Sequence, residues 1–240
     1  PIFTNNRNRL ILGVLILTAL FLVLRLPGLS MPYHQDEWKN ASASATVAGA
    51  GTFFAHPPLM QMLFVTSNDL FGVDNMRLFP LIFAAASAVL LYFVVKRRMG
   101  GKAAVWSVIL YLACFYAILG SLQLDVDGAV LPSLFLLAVF AYDRLPGRKW
   151  LVLLVAALLV GMLIKLNFIL VIGAIILDYL WENRRNDIYK KIGIAAGGLV
   201  AFGIVYVALL YLIQAIYPAF SISFMLGHAN QFSDAGGRNW

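Results

Sequence analysis

The stretch LFPLIFAAASAVLLYFVVKRRMGGK, residues 78–102, decides the fold class of this chain. Residues 78–95 are uncharged, and a helix that crosses a bilayer needs about 20 consecutive apolar residues. Lys96, Arg97, Arg98 and Lys102 follow at once, and such basic clusters are typical of the cytoplasmic flank of a membrane span. The stretch therefore predicts a transmembrane helix together with its orientation.

The same pattern recurs along the 240 residues, of which 62% are hydrophobic and only 12% charged. This composition is far more apolar than that of a soluble domain. We therefore predict an all-α, polytopic membrane protein. Further spans are predicted at 10–26, 103–122, 128–142 and 192–213, and a longer apolar run covers 150–181.

The basic clusters also predict the topology. They surround positions 7–9, 96–102, 144–149 and 184–191, and placing them all in the cytoplasm requires an even number of crossings between neighbouring clusters. We therefore expect 150–181 to form two short helices that turn near Lys165. We expect residues 57–71 to form an interfacial helix, because a full crossing there would break the parity. Its predicted apolar face consists of Leu59, Met62, Leu63 and Leu70.

The predicted bundle has about seven crossings, with the amino terminus in the cytoplasm. We treat residues 1–240 as one transmembrane domain, with a first outer loop at 27–75 and the start of a later outer loop at 214–240. A second juxtamembrane helix is predicted over 41–50, and we expect the chain to be the amino-terminal portion of a longer protein.

The net charge of +7 does not indicate nucleic-acid binding, because the basic residues lie in clusters between apolar runs.

Two acidic pairs fall at the predicted outer face. Asp36 and Glu37 follow the first span, and Asp125 and Asp127 lie between the third and fourth spans. Adjacent carboxylates at the edge of a bilayer are costly unless water, a cation or a substrate meets them. A simpler explanation is that Asp36, Glu37 and Asp127 stabilise helix starts. Both explanations stay open at this point, and Asp125 has no such structural role in the sequence.

Cationic groups fall at the same face. Lys165 lies between two apolar helices, and Arg77 lies at the outer start of the second span. Each either extends to the interface as an ordinary snorkelling side chain or binds a phosphate group there. A divalent cation is a candidate cofactor because carboxylate oxygens are present, but two pairs distant in sequence do not define a coordination shell.

These motifs, in this order, resemble the GT-C membrane glycosyltransferases. The resemblance is to the protein-mannosyltransferase and aminoarabinose-transferase branch, which uses polyprenyl-phosphate sugars. The residues that carry the resemblance are Asp36-Glu37-x-Lys39, His56-Pro57-Pro58-Leu59, Arg77, the acidic residues Asp125 and Asp127, and the run from Gly161 to Lys165. The basic partner is Lys39 where many members have Arg, and two aspartates stand where one is expected.

The resemblance implies a hexosyl or pentosyl transfer from a polyprenyl-phosphate donor to a lipid, glycan or protein acceptor. The active site would face outward from the plasma (inner) membrane, as for an enzyme of the cell envelope. Asp36 and Glu37 are then the candidate catalytic residues. Lys39, His56, Arg77, Asp125, Asp127 and Lys165 are the candidate substrate-binding residues. A lipid or solute transporter and a non-catalytic membrane assembly subunit are the alternative functions.

The topology can be tested by labelling single cysteines with an impermeant reagent, after the native Cys114 is replaced. We expect a cysteine at position 56 to react from outside and one at position 100 to remain unlabelled in sealed cells, because the positive clusters favour the cytoplasm. Labelling at position 100 but not at position 56 would reverse the topology.

Overall fold

The structure is a computed structural model that describes residues 6–34, 37–38, 40–41, 57–182, 188–218 and 220–233. Its main elements are α-helices, separated by loops and two short 3₁₀ turns. In chain order they are α1 (Asn6–Leu29), α2 (Pro58–Phe71), α3 (Leu78–Met99), α4 (Gly101–Ala113), α5 (Phe115–Leu122), α6 (Val130–Tyr142), α7 (Arg148–Ile164), α8 (Ile169–Glu182), α9 (Ile188–Ile216) and α10 (Ile222–Ser233).

The centre of the bundle is formed by α3, α6 and α7. Helix α3 packs against α4 and α6, and α6 packs against α7. Helix α1 contacts α4 and α5 at the edge of this group, while α2 packs on α7. The interior contains small and aliphatic side chains such as Ala138, Ala157 and Leu158. Many large apolar side chains face outward instead, as lipid-exposed helices require.

The number of spans is only partly confirmed. Among the described residues, three helical stretches are long and apolar enough to cross a bilayer: Ile11–Leu29, Val73–Met99 and Ile188–Ile216. The predicted span at 103–122 is broken at Cys114 into α4 and α5, which are bent by 61° and would form a fourth crossing as a pair. Helices α6 and α8 are shorter, so the predicted total of seven is not confirmed.

The predicted interruption at Lys165 is present. Helix α7 ends at Ile164, Lys165 has extended backbone angles, and a 3₁₀ turn over Leu166–Phe168 leads into α8. Gly161 lies one turn earlier, and a Cβ atom there would collide with the ring of Phe168. The absence of a side chain at Gly161 therefore lets the chain fold back closely at this break.

Helix α2 forms at the predicted residues. Met60, Phe64 and Ser67 face the protein, with Gln61 buried beside them, whereas Leu70 is 68% exposed. Leu59 and Leu63 of the predicted apolar face are partly buried against the core, whereas Leu70 on the same face points away from the protein, as a side chain that meets lipid would. Pro57 and Pro58 begin this helix, where the missing N–H groups are not needed.

The second juxtamembrane helix, predicted over 41–50, lies outside the described residues except for Ala41.

The loop between α5 and α6, residues 123–129, is closed by two glycines at its base. A Cβ atom on Gly120 would lie 2.7 Å from the Cα atom and 2.9 Å from the carbonyl oxygen of Gly128. Real Cβ atoms do not approach backbone atoms so closely, and backbone cannot move aside as a flexible side chain can. The two glycines therefore bring the end of α5 and the start of α6 into direct contact.

We expect Gly120→Ala to lower the free energy of unfolding by about 1–3 kcal/mol, the usual cost of overpacking. Thermal unfolding of the purified protein in detergent measures the effect. Gly197→Ala on α9 is the matched control, since a Cβ atom there meets nothing within 4 Å. Equal melting temperatures for the two variants would contradict the close contact.

Candidate active site

The loop at residues 123–129, which we call the acidic loop, carries Asp125 and Asp127. Leu124 and Val126, which alternate with these aspartates, are fully buried, so they hold the loop against the protein. Asp125 is partly buried and Asp127 is exposed. The loop is therefore a rigid platform that presents carboxylates at one end of the bundle.

Glu37 is joined to this loop and to Arg77 by its carboxylate. Oε1 accepts hydrogen bonds from the Leu124 N–H and from Arg77 Nε, both at 2.9 Å. Oε2 accepts from the His34 N–H at 2.8 Å and from Arg77 Nη2 at 2.7 Å. A carboxylate has about four lone-pair positions, so all of them are occupied.

The hydrogen-bond donors of Arg77 are also all used. Besides the two hydrogen bonds to Glu37, it donates from Nη1 to the carbonyl oxygens of Gly28 and Met31, and from Nη2 to that of Pro32. These five bonds use all five N–H groups of a guanidinium. Its plane also lies over the ring of Tyr33, with the centroid 4.8 Å away. Arg77 therefore fastens the start of α3 to the end of α1 and to Glu37.

The pair has little contact with solvent, with side-chain exposures of 6% for both residues. Burial alone would raise the pKa of Glu37, but the hydrogen bonds from Arg77 and from the His34 and Leu124 N–H groups outweigh it and hold the pKa below its usual value. The carboxylate is therefore ionised at neutral pH. Its contribution to stability is present above the pKa of the unfolded chain and is lost as the pH falls through the folded pKa.

Lys165 meets the acidic loop from the α7–α8 break. Its Nζ forms an ion pair with Asp127 Oδ2, and both side chains remain accessible, at 24% for Lys165 and 52% for Asp127. The partner of Asp127 is therefore Lys165, the residue that the sequence offered as a candidate phosphate-binding lysine. Because the pair faces solvent, its members can exchange partners at little cost.

Asp125 has a local partner, since its Oδ1 accepts the Val126 N–H at 2.6 Å. Such a side-chain-to-backbone bond is common in turns, and it orients the carboxylate without neutralising it. The structure thus separates the two aspartates that the sequence could not rank: Asp127 is paired with Lys165, and Asp125 is held by backbone.

The structure brings five of the candidate residues together around the acidic loop: Glu37, Arg77, Asp125, Asp127 and Lys165. Asp36, Lys39 and His56 lie outside the described residues. Their sequence neighbours are described: Asp36 precedes the anchored Glu37, and Lys39 precedes Asn40, whose Nδ2 donates to the Leu124 carbonyl oxygen at 2.8 Å. The loop therefore binds the residue that follows each of positions 36 and 39.

Arg25 is the residue that the sequence analysis missed. It is fully buried in α1, donates from Nε to Ser121 Oγ at 2.9 Å and from Nη1 to the Leu112 carbonyl oxygen at 3.2 Å, and lies over the ring of Phe21. Leu112 lies at the end of α4, where the helix break at Cys114 interrupts the backbone hydrogen bonding. The sequence does contain an indication of this residue's role, because a charge inside an apolar span is rare and usually has a specific partner.

Potential metal ligands do not gather in the part of the chain that the structure describes. No group of three or more His, Cys, Asp or Glu side chains lies close enough there to hold an ion. Two of the described carboxylates, Glu37 and Asp127, are instead paired with cations. The described site thus combines ion pairs with one backbone-held carboxylate.

Comparison with known proteins identifies the family. No curated protein matches the chain. A family model described as dolichyl-phosphate-mannose-protein mannosyltransferase matches residues 55–211, which is more than half of the chain. This range includes Arg77, the acidic loop and Lys165, and it excludes α1 and the residues around Asp36. The match confirms the resemblance seen in the motifs, and the chain therefore belongs to the dolichyl-phosphate-mannose-protein mannosyltransferase family of membrane glycosyltransferases.

Proposed function

We propose that this protein transfers a sugar from a polyprenyl-phosphate donor to an acceptor hydroxyl on the non-cytoplasmic face of the membrane. The observation that carries the proposal is the meeting, at the acidic loop, of an accessible lysine, two aspartates and the anchored residue that follows Asp36. A base for the acceptor and a cation for a phosphate are what this reaction needs.

The geometry favours Asp36 over Glu37 as the base. A general base must accept a proton from the acceptor hydroxyl, and Glu37 already receives four N–H groups on its two oxygens. We therefore assign Glu37 a positioning role: it connects the outer loop to Arg77 and to the acidic loop. Asp36, the neighbouring carboxylate, is then the proposed catalytic residue, with Asp125 as the acid that orients the acceptor.

The cationic side chains Arg77 and Lys165 also differ in whether they can bind a donor phosphate. All five N–H groups of Arg77 are used within the protein, so a donor phosphate would have to replace existing partners there. Lys165 is accessible, and its ion pair with Asp127 can open when a more highly charged phosphate arrives. We propose that Lys165 binds the donor phosphate, with Lys39 and His56 as further substrate contacts.

The proposed reaction is an inverting displacement. The acceptor oxygen loses its proton to Asp36 and attacks the anomeric carbon of the sugar. The bond from that carbon to the phosphate oxygen breaks, and the polyprenyl phosphate leaves with the bonding electrons. Lys165 stabilises the charge that develops on the departing phosphate, at a site bordered by the buried Leu124 and Val126. A divalent cation stays a candidate cofactor, although no step requires one.

We expect Asp36→Asn to lower the turnover of the full-length protein by at least about a hundredfold, because asparagine cannot accept the acceptor proton at neutral pH. Donor affinity and melting temperature should stay close to those of the parent. Transfer from a radiolabelled polyprenyl-phosphate sugar measures turnover, and equilibrium binding of the same donor measures affinity.

Glu37→Gln is the matched comparison, since it removes the neighbouring charge. Leaving Arg77 buried without its counter-charge should destabilise the protein by about 3–5 kcal/mol, so this variant should unfold at a lower temperature. Near-normal turnover in Asp36→Asn, with loss of transfer in Asp125→Asn or Asp127→Asn, would move the base to the acidic loop. Activity in all of these variants would refute the carboxylate mechanism and leave a non-catalytic role.

Lys165→Met should weaken donor binding by about 1.5–3 kcal/mol, the usual contribution of a hydrogen bond to a charged group. That loss corresponds to about a 10- to 150-fold rise in Kd. Folding should change little, because the ion pair with Asp127 faces solvent. Lys190→Met, an exposed lysine at the start of α9, is the control. Equal donor affinity in the two variants would show that Lys165 serves only as an interfacial anchor.

A further inference from the structure

A long apolar groove runs between α1, α3 and α4, away from the acidic loop. It encloses about 660 Å³. Gly13, Leu17 and Phe21 of α1 form one wall, and Ala85, Ala88 and Val108 are among the residues of the other two helices that face them. The groove follows α1 from Gly13 to Phe21, and nearly all of its lining is hydrocarbon.

The hydrogen bonds that hold the described part of α1 to other elements lie at its carboxyl end. Arg25 and the carbonyl of Gly28 tie the last turns of α1 to α4, α5 and Arg77. Further toward its amino end, α1 has no side chain at Gly13, and a Cβ atom added there would meet nothing within 4 Å. The first half of α1 therefore stands away from α3 and α4. At this depth of a membrane protein, such a space is filled by hydrocarbon.

The open end of the groove carries positive charge. Tyr92 lines the groove, and Lys96 Nζ lies 5.4 Å from the centroid of its ring. Lys102 lies three residues before the lining residue Val105, so both share one face of α4. Both lysines are exposed. Asp143, an acid at this end of the bundle, is bound to Arg98.

The start of α4 lies between the two lysines. Gly100 is its N-cap residue, with φ 90°, and it offers no side chain to the first N–H groups of the helix. An uncapped helix start attracts anions, because its N–H groups point outward and the helix dipole is positive there. One end of the apolar groove therefore has two lysine side chains and the first N–H groups of helix α4.

We propose that this groove binds an anionic glycerophospholipid, with one acyl chain lying against α1, α3 and α4 and the phosphate at Lys96, Lys102 and the start of α4. The charge at the mouth selects an anionic lipid over a zwitterionic one, since each lysine near a phosphate adds to the attraction. A second copy of this chain would present the same lysines and would be repelled. The site lies at the end of the bundle opposite Lys165, so it does not depend on the proposed donor site.

The test places a photo-crosslinking amino acid at Leu17, within the groove, in the full-length protein. The protein is reconstituted in vesicles of phosphatidylcholine with a minor fraction of phosphatidylglycerol, and the crosslinked lipid is identified by mass spectrometry. We expect phosphatidylglycerol to be enriched about tenfold over its share of the vesicle, from the attraction of two lysines. The double variant Lys96→Gln, Lys102→Gln should remove the enrichment, while Lys190→Gln should retain it.

Each other outcome would overturn the proposal. Lipids crosslinked in their bulk proportions would indicate ordinary surrounding lipid. Crosslinks to a second copy, or to another segment of the same chain, would show that protein covers the groove. Enrichment that survives the double lysine variant would place the head group elsewhere. Because both lysines are exposed, their replacement leaves the folded bundle intact, and melting temperature confirms this for each variant.

Discussion

The buried ion pair between Glu37 and Arg77 is the interaction on which the arrangement of this end of the bundle depends. Two charges removed from water are stable together only when every lone pair and every N–H group finds a partner, and here all of them do. The partners come from the end of α1, the loop that follows it, the start of α3 and the acidic loop. One pair therefore sets the relative positions of four segments.

Local patterns were sufficient to predict most of the described helices and the break at Lys165, but not the break at Cys114, because span length and loop charge act over short stretches of sequence. The same patterns drew attention to the charged residues of the candidate site, since charges beside apolar runs stand out. They did not indicate how these residues are paired. Glu37 and Arg77 were predicted to be catalytic and substrate-binding residues, and only contacts 40 and 87 residues apart reveal that both are saturated. Sequence spacing contains no information about such occupancy.

Two further features depend on tertiary contacts that no local pattern predicts. The buried face of α2 is decided by which side meets α7, since both of its sides are apolar enough for a membrane interface. The contact between Gly120 and Gly128 joins two positions that look like ordinary loop and helix glycines in the sequence. In each case the deciding partner lies on another element.

Arg25 has a consequence for the way the chain enters the membrane. Its partners, the Leu112 carbonyl and Ser121, are synthesised 87 and 96 residues after it. A guanidinium at the centre of a span costs about 2.5–3.5 kcal/mol during insertion by the translocon, and one in the last two turns, such as that of Arg25, costs less. Helix α1 therefore enters the bilayer at a disadvantage and is stabilised only when the broken pair α4–α5 arrives beside it. Helix α1 is thus secured only after α4 and α5 have been made, so its place in the bundle is fixed by segments that follow it in the chain.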